Sequence, residues 1–276
     1  MTQFDFIKMH GLGNDFVVID ARAGTLDLDD ATLRAVANRR TGVGCDQLIV
    51  MEPAKMPEAA FFMRIRNADG GEVDACGNAA RCVADLVMEE TGRPAVQFQT
   101  GAGLLSASKT DNGITVDMGP AKDRWQDIPL SDEMDTLSLP ISEGGLSEPV
   151  AVGVGNPHMV FFVENVEEIQ LAGGLGKKLE HHSLYPERTN VEAVEIRSPD
   201  DLRVRVWERG VGITQACGTG ACASLIAANR RGLTGRSANV ELDGGVLHID
   251  WRDDNHVLMT GPTAVSFTGT WIGYRT

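Results

Sequence analysis

The sequence predicts an α+β protein that uses one type of domain twice. Two observations support this prediction. Short motifs recur at an interval of 141 or 142 residues, and each half contains many short apolar runs but few helical patterns. At 276 residues the chain is long enough for two domains of about 120–150 residues, each with its own core. We therefore interpret the chain as the product of an internal duplication.

The repeat is clearest around two cysteines. Asp74–Ala80 (DACGNAA) and Gln215–Ala221 (QACGTGA) are versions of one motif, and their cysteines lie 217 − 76 = 141 residues apart. Three further pairs of short motifs recur at an interval of 142 residues: 11–14 with 153–156, 103–105 with 245–247, and 118–120 with 260–262. An interval held from the start of one half to its end favours two similar domains that each contribute one thiol to a shared cleft.

Strands are predicted where apolar and β-branched residues form short runs between turn residues. These runs are 16–19, 47–51, 61–65, 114–118, 159–163 and 202–207. The segment 265–274 has the same character and lies beyond the second repeat, so we expect it to return to the first domain. The predicted domains are 1–118, joined by strand 264–276, and 119–263; a polar stretch over 119–139 marks their boundary.

Helices are predicted at fewer places. Asp29 and Asp30 precede the first helix, over 31–38, and a weaker one begins at Val166. The clearest helices follow the two cysteines, over 79–90 and 221–231, and each is stopped by a glycine, Gly92 or Gly232. Each half therefore has many strands and one strong helix that begins beside its cysteine.

Composition excludes several classes of protein. A formal net charge of −14 argues against a surface for nucleic acid or an anionic membrane, since both require basic patches. No apolar run reaches membrane-spanning length, and the first residues lack the pattern of a signal peptide. The five cysteines fit neither a zinc site nor a disulfide framework. We expect a cytoplasmic protein with reduced thiols.

The two repeated cysteines are candidate acid/base groups. An ordinary cysteine has a pKa of about 8.5, and the N–H groups at the start of a helix lower that pKa because they favour an anion. Gly77 and Gly218, one residue after Cys76 and Cys217, allow the backbone to approach a ligand closely. Two thiols on opposite faces of one carbon predict racemisation or epimerisation, with one removing and the other supplying a proton.

We expect this chemistry to need no cofactor. Pyridoxal phosphate, which many racemases use, requires a Schiff-base lysine, and none is placed near the cysteine motifs. His181 and His182 are adjacent and lack partners at metal-ligand spacing, so no metal site is predicted. The remaining cysteines are interpreted as small buried apolar residues: Cys45, Cys82 and Cys222.

Several motifs in a fixed order resemble the diaminopimelate epimerase family over essentially the whole length. They are KMHGLGNDF at 8–16, GVGCDQ at 42–47, NADG at 67–70, CGNAAR at 76–81, GNPH at 155–158, PERTN at 186–190, ERG at 208–210 and ACGTG at 216–220. The resemblance implies cofactor-independent conversion of LL- to meso-diaminopimelate in bacterial lysine biosynthesis. It also implies two domains related by a pseudo-twofold axis, each a mostly antiparallel sheet or barrel around a central helix, and a homodimer.

The resemblance also implies roles for individual residues. Cys76 and Cys217 would be the acid/base pair, and His158 and Glu208 would lie near the thiols and tune their pKa values. The remaining matched residues would bind the substrate: Asn14, Gln47, Asn67, Gly77, Asn78, Asn156, Asn190, Glu208, Arg209, Gly218 and Thr219. Arg209 suits a distal carboxylate, because a guanidinium can hold one with two parallel hydrogen bonds. Ala79 stands where many family members have glycine.

Two alternatives remain open at this point. A proline or hydroxyproline racemase shares the two-thiol chemistry but usually carries Cys-Gly-His where this chain has Cys76-Gly77-Asn78. A non-catalytic amino-acid-binding protein of the same fold would be expected to lose a thiol, and this chain keeps both. The halves are alike in their thiols but differ around them, since Asn67 corresponds to Glu208 and Phe16 to His158. Such asymmetry suits a substrate with one reacting and one fixed centre.

Overall fold

The chain folds as two compact units. A computed structural model describes residues 3–24 and 26–273. The first unit is the described part of Met1–Val116 and Gly261–Thr276, and the second unit is Asp117–Thr260. Within the described residues, no helix is both long and apolar enough to cross a membrane.

The first unit is mainly strands, with two helices. Its elements are β1 (Phe4–Gly11), β2 (Asn14–Asp20), α1 (Asp30–Ala37), β3 (Gln47–Glu52), β4 (Phe62–Asn67), β5 (Glu72–Val73), α2 (Gly77–Thr91), β6 (Ala95–Thr100), β7 (Gly103–Thr110) and β8 (Gly113–Pro120). The boundary between the units falls inside β8, after Val116.

The second unit has the same character. Its elements are β9 (Ser142–Glu143), β10 (Leu146–Ser147), β11 (Val150–Gly153), β12 (Pro157–Phe162), α3 (Leu175–Glu180), β13 (Asn190–Ser198), β14 (Asp201–Glu208), β15 (Gly212–Ile213), α4 (Gly218–Arg230), β16 (Ser237–Leu242), β17 (Gly245–Trp251) and β18 (His256–Gly261). Short 3₁₀ turns at Val166–Glu168 and Leu171–Gly173 precede α3. The last strand, β19 (Ala264–Trp271), pairs with β1 in the first unit.

The two units repeat one pattern of strand pairing. In the first, β2 pairs in parallel with β3, and β4 with β6; in the second, β12 pairs in parallel with β13, and β14 with β16. Most of the other pairings are antiparallel, including β3 with β4 and β13 with β14. Helix α2 packs against β1, β2, β6 and β7, whereas α4 packs against β11–β14, β16 and β17. The predicted α+β fold with a duplicated arrangement is confirmed, and its sheet is mixed with mainly antiparallel pairs.

The predicted elements are largely confirmed, and their bounds are corrected. Helix α1 begins after Asp29, whose side chain accepts a hydrogen bond from the Thr32 amide, as an N-cap does. Helices α2 and α4 begin immediately after the cysteines, two to three residues earlier than the apolar pattern indicated. Gly92 ends α2 in the left-handed conformation. The predicted helix at Val166 is only a 3₁₀ turn, and Tyr274, the end of the predicted last strand, lies outside the described residues.

Candidate active site

Both repeated cysteines are N-cap residues of buried helices. Cys76 precedes α2 and Cys217 precedes α4, and each has extended backbone angles. The first turn of each helix is buried, so its free N–H groups are available mainly to groups beside the cysteine. This geometry follows from the sequence, because small residues after each cysteine let the helix pack closely against the sheet.

In the first unit, Asn14 lies beside Cys76. The Oδ1 atom of Asn14 is 3.8 Å from the Cys76 sulfur and accepts a hydrogen bond of 3.1 Å from the Asn78 amide. Asn78 is buried, and its Oδ1 accepts from Arg81 at 2.8 Å. A fully buried guanidinium therefore orients Asn78, and Asn78 orients the side chain next to the thiol.

A network of charged side chains holds the amide nitrogen of Asn14. Asp46 accepts hydrogen bonds from the Asn14 side chain at 2.9 Å and from the Asp15 backbone at 3.1 Å. Arg39 binds both carboxylates at 2.6 Å, and the buried Lys8 ammonium donates to Asp15 and to the Gly44 carbonyl. Asn14 is thus fixed by the Asp46 carboxylate, which Arg39 holds in place together with Asp15.

Gln47 and Asn67 lie together at the ends of neighbouring strands. They are directly opposite in the β3–β4 register, and the Gln47 amide donates to the Asn67 Oδ1 at 3.0 Å. Phe16 pairs with Gln47 across the parallel β2–β3 ladder. The strand pairing therefore places these two predicted binding residues side by side, although they are twenty residues apart in sequence.

In the second unit, Cys217 is almost completely buried, with 5 % of its surface exposed. Its sulfur accepts a hydrogen bond of 3.4 Å from the Gly220 amide and lies 3.6 Å from the Thr219 hydroxyl. Burial raises the pKa of the Cys217 thiol well above its usual value, the nearby Glu208 carboxylate raises it further, and the two hydrogen bonds oppose them. The expectation that the helix N-terminus would lower this pKa is wrong for Cys217, because desolvation outweighs the helix.

His158 and Asn156 extend the polar surroundings of Thr219. The Asn156 side-chain amide is 3.3 Å from the Thr219 hydroxyl, and its Oδ1 is 2.8 Å from Nε2 of His158. The other ring nitrogen, Nδ1, lies 2.7 Å from Oε1 of Glu192, and both side chains are fully buried. His158 therefore reaches the Cys217 loop through Asn156 and Thr219.

Asn190, Glu208 and Arg209 form a third group in the second unit. Asn190 is buried; its amide donates to the Pro157 carbonyl at 3.0 Å, and its Oδ1 accepts from the Arg209 backbone at 2.9 Å. The Arg209 guanidinium donates to the Glu187 carbonyl at 3.0 Å. Glu208 accepts a hydrogen bond from the Thr214 hydroxyl. Asn190 thus fixes the backbone that carries both charged side chains.

The other three cysteines are buried. Burial raises the pKa of Cys45 and of Cys82 to about 12, so both remain thiols at neutral pH. Cys222 is also buried within α4. Within the described residues, no group of three histidine, cysteine, aspartate or glutamate side chains could hold a metal ion.

Sequence reasoning missed the residues that hold the site in place. Lys8, Asp15 and Asp46 belong to motifs quoted above but received no role, and Arg39 and Glu192 were not considered. One signal was available: polar residues within otherwise apolar strand patterns require buried partners. Glu192 in NVEAVEI is such a residue, because it lies between buried valine and alanine on β13.

Comparison with solved structures identifies the fold. A hydroxyproline epimerase from Agrobacterium vitis superposes with a TM-score of 0.68 at 16% identity, covering 97% of this chain and 92% of that one. A PhzF-family phenazine biosynthesis protein from Bacillus anthracis superposes with a TM-score of 0.69 at 15% identity, covering 99% and 100%. At these identities the likeness shows a shared fold.

Sequence comparison is more specific. The family model for diaminopimelate epimerase matches residues 6–123 and 150–265. The diaminopimelate epimerase of Rhodospirillum centenum is 57% identical over 265 residues, covering 96% of this chain and 91% of that protein. That of Acidiphilium cryptum is 53% identical, covering 96% and 95%. The chain belongs to the diaminopimelate epimerase family and is an isomerase, so the resemblance drawn from the motifs is confirmed.

We expect the charged network around Asp15 to make the first unit acid-sensitive. Burial alone would raise the pKa of Asp15, but hydrogen bonds from Arg39 and Lys8 outweigh it and hold that pKa far below its usual range. A carboxyl with a lowered pKa stabilises the fold above the unfolded-state pKa of about 3.9 and loses that contribution as the pH falls below it. Asp15→Asn should therefore lower the free energy of unfolding at pH 7, and its difference from wild type should shrink below about pH 4.

Urea unfolding of both proteins from pH 7 to pH 3 measures this difference. Asp111→Asn, in the exposed turn between β7 and β8, is the matched control and should change stability little at any pH. A difference between Asp15→Asn and wild type that stayed constant down to pH 3 would contradict the role given to the ionised carboxylate.

Proposed function

We propose that this chain is a diaminopimelate epimerase of lysine biosynthesis and that Cys76 and Cys217 are its two proton-transfer groups. One cysteine, as thiolate, removes the α-proton, and the other, as thiol, supplies a proton to the opposite face of the same carbon. The observation that carries the assignment is that both cysteines cap buried helices, whereas Cys82 and Cys222 lie inside those helices and Cys45 precedes β3. The proposal requires both thiols to reach one substrate carbon.

The helix N-termini support the difficult step of the reaction. Deprotonation of an α-carbon places negative charge on the adjoining carboxylate, and N–H groups directed at that carboxylate stabilise the charge. Gly77 and Asn78 begin α2, and Gly218 and Thr219 begin α4. We assign these four residues to the carboxylate of the reacting centre. In this mechanism the protein supplies the acid, the base and the anion stabilisation, with no organic cofactor or metal.

Cys217 is suited to begin the LL-to-meso reaction as the acid. Its burial and the nearby Glu208 raise the pKa of its thiol, so the sulfur keeps its proton until a carbanion requires it. Cys76 then acts as the base in that direction, and the roles exchange in the reverse direction. His158 and Glu208 would tune the second thiol, Glu208 by its negative charge and His158 through the Asn156 side chain.

The second amino-acid head of the substrate requires a cation and amide groups. We assign this head to Arg209, with Asn14, Gln47, Asn67, Asn156, Asn190 and Glu208 as the other polar contacts. The Arg209 side chain is only partly buried and donates to a backbone carbonyl, so its remaining N–H groups can bind a carboxylate. Diaminopimelate has a second carboxylate for this arginine to bind, whereas proline has only one carboxylate.

We further infer that the enzyme acts in the cytoplasm and works as a homodimer. Its place in lysine biosynthesis supports the first inference. The exposed apolar side chains Val265, Phe267 and Ile272 at the C-terminal end support the second. Light scattering should give twice the chain mass of 29.7 kDa; a molar mass equal to one chain at micromolar concentration would refute the dimer.

Replacing either cysteine should abolish epimerisation without unfolding the protein. Cys76→Ala and Cys217→Ala each remove one of two required groups, and Cys→Ser variants should be severely impaired because a hydroxyl is a far weaker acid. Cys45→Ala is the matched control and should remain active. The measurement is conversion of LL-diaminopimelate in heavy water, with deuterium at the α-carbon as the product label.

Substantial epimerisation by either alanine variant would rule out the two-base assignment. The same assay after exhaustive EDTA treatment tests whether the mechanism needs a metal. A loss of activity that an added metal restores would refute the metal-free mechanism. L-Proline serves as the alternative substrate; turnover of proline with none of diaminopimelate would favour a proline racemase.

Arg209→Ala should weaken catalytic efficiency on diaminopimelate by at least about 30-fold, because loss of one partner of a buried charged hydrogen-bonded pair costs about 2–5 kcal/mol. Arg209→Lys should recover only part of this, since the paired geometry is lost. Arg188→Ala is the matched control, because its guanidinium contacts Glu180 at 3.4 Å. Near wild-type kcat/KM for Arg209→Ala would show that another residue holds the distal carboxylate.

A further inference from the structure

We propose that Glu192 is a positioning residue for the reaction, the first member of a one-way chain of hydrogen-bond donors that ends at the Cys217 sulfur. The chain runs from Glu192 through His158, Asn156 and Thr219, and each member donates toward the sulfur. This proposal rests on the proposed function in assigning Cys217 a proton-transfer role, but its geometry lies entirely within the second unit.

The protonation of Glu192 sets the direction of the chain. Its Oε1 is 2.7 Å from Nδ1 of His158, while its Oε2 is buried and has no hydrogen-bond partner within the described residues. A buried carboxylate with one unsatisfied oxygen is costly, whereas a neutral acid leaves only a carbonyl oxygen unsatisfied. Burial raises the pKa of Glu192. The neutral acid donates its proton to Nδ1, which makes the ring the neutral Nε2–H tautomer.

The orientation of Asn156 agrees with this tautomer. Its Oδ1 faces Nε2 of His158 at 2.8 Å, and an amide oxygen can only accept, so Nε2 must donate. Its amide nitrogen faces the Thr219 hydroxyl at 3.3 Å and can only donate. One amide therefore receives a hydrogen bond from the histidine and gives one to the threonine.

The chain ends on the sulfur. The Thr219 oxygen accepts from Asn156, which leaves its hydroxyl proton available for donation to the Cys217 sulfur, 3.6 Å away. The Gly220 amide donates to the same sulfur at 3.4 Å. When Cys217 gives its proton to the substrate carbon, the S–H bond breaks, a C–H bond forms, and the sulfur keeps the electron pair. Both donors then stabilise the thiolate, and no proton moves along the chain.

Close packing keeps Glu192 behind the cysteine loop. A Cβ atom on Gly220 would lie 2.9 Å from Oε1 of Glu192 and 3.3 Å from the Cys217 sulfur. The absence of a side chain at Gly220 thus lets the carboxyl group approach the start of α4. An ionised carboxylate this close would oppose a thiolate at Cys217, whereas the neutral acid avoids that repulsion and aligns the donors.

Nitrogen-15 NMR of the histidine rings tests the tautomer independently of activity. We expect His158 in the ligand-free wild type at pH 8 to show a protonated Nε2 and an unprotonated Nδ1, with the resonances assigned by their loss in His158→Asn. Glu192→Gln should keep this pattern, because its amide can donate to Nδ1 as the acid does. Glu192→Leu should lose it. Two protonated nitrogens in the wild type, or protonation at Nδ1 alone, would overturn the proposal.

Kinetics test the effect on Cys217. Glu192→Gln should keep kcat within about threefold of wild type, whereas Glu192→Leu should lower kcat at least about tenfold with a smaller change in KM, since the lost interaction matters most when the thiolate forms. Glu195→Leu, on the same strand, is the matched control and should match wild type. A Glu192→Leu variant with wild-type kcat, or a Glu192→Gln variant as impaired as Glu192→Leu, would refute the positioning role.

Thermal unfolding distinguishes loss of the positioning role in Glu192→Leu from a general loss of stability. If Glu192→Leu merely loosened the fold, its thermal midpoint would fall and KM would rise together with the loss of kcat, and that result would count against the proposal. If the wild-type chain failed to epimerise diaminopimelate, the proposed function would fail, while the NMR pattern would still decide whether the donor chain exists.

Discussion

Placing a sulfur at the N-cap of a buried helix is the constraint on which both halves of this protein depend. The helix must be buried so that its N–H groups are not hydrated, and small residues after each cysteine permit that burial. Strands from one unit's sheet then surround each helix and bring polar side chains to its first turn. Asn14 reaches Cys76 in this way, and Asn156 reaches the loop of Cys217. The duplicated strand pairing explains why the two asparagines occupy corresponding positions.

The two units stabilise these asparagines by different physical means. In the first, ions do the positioning: Asp46 holds Asn14, and Arg39 and Lys8 hold the carboxylates. In the second, the partners are fully buried, and His158 and Glu192 share a short hydrogen bond. The desolvation cost of the charged groups is small in the first unit, because the side chains of Arg39 and Asp46 are partly exposed to solvent. In the second unit, burial makes an ionised carboxylate costly, which favours a neutral network.

Opposing effects meet at Cys217. Burial and the nearby Glu208 carboxylate favour the thiol, whereas the Gly220 amide and the Thr219 hydroxyl favour the thiolate. Burial prevails, so the thiol is the favoured state, and the two hydrogen bonds limit how far the pKa of the sulfur rises. The asymmetry between the units is consistent with a substrate whose two ends are chemically alike but whose two centres must be treated differently.

The sequence by itself determined the internal duplication, most of the strands and helices, the two repeated cysteines and the family. These features are local or repeated, so spacing and residue type suffice to recognise them. Only the tertiary structure decided which polar residues hold the site in place. Arg39 and Asp15 are twenty-four residues apart, and Glu192 and His158 are thirty-four apart; no local pattern links them. Tertiary structure also decided the pKa of Cys217, because desolvation depends on what surrounds the sulfur and outweighs the helix on which the sequence prediction relied.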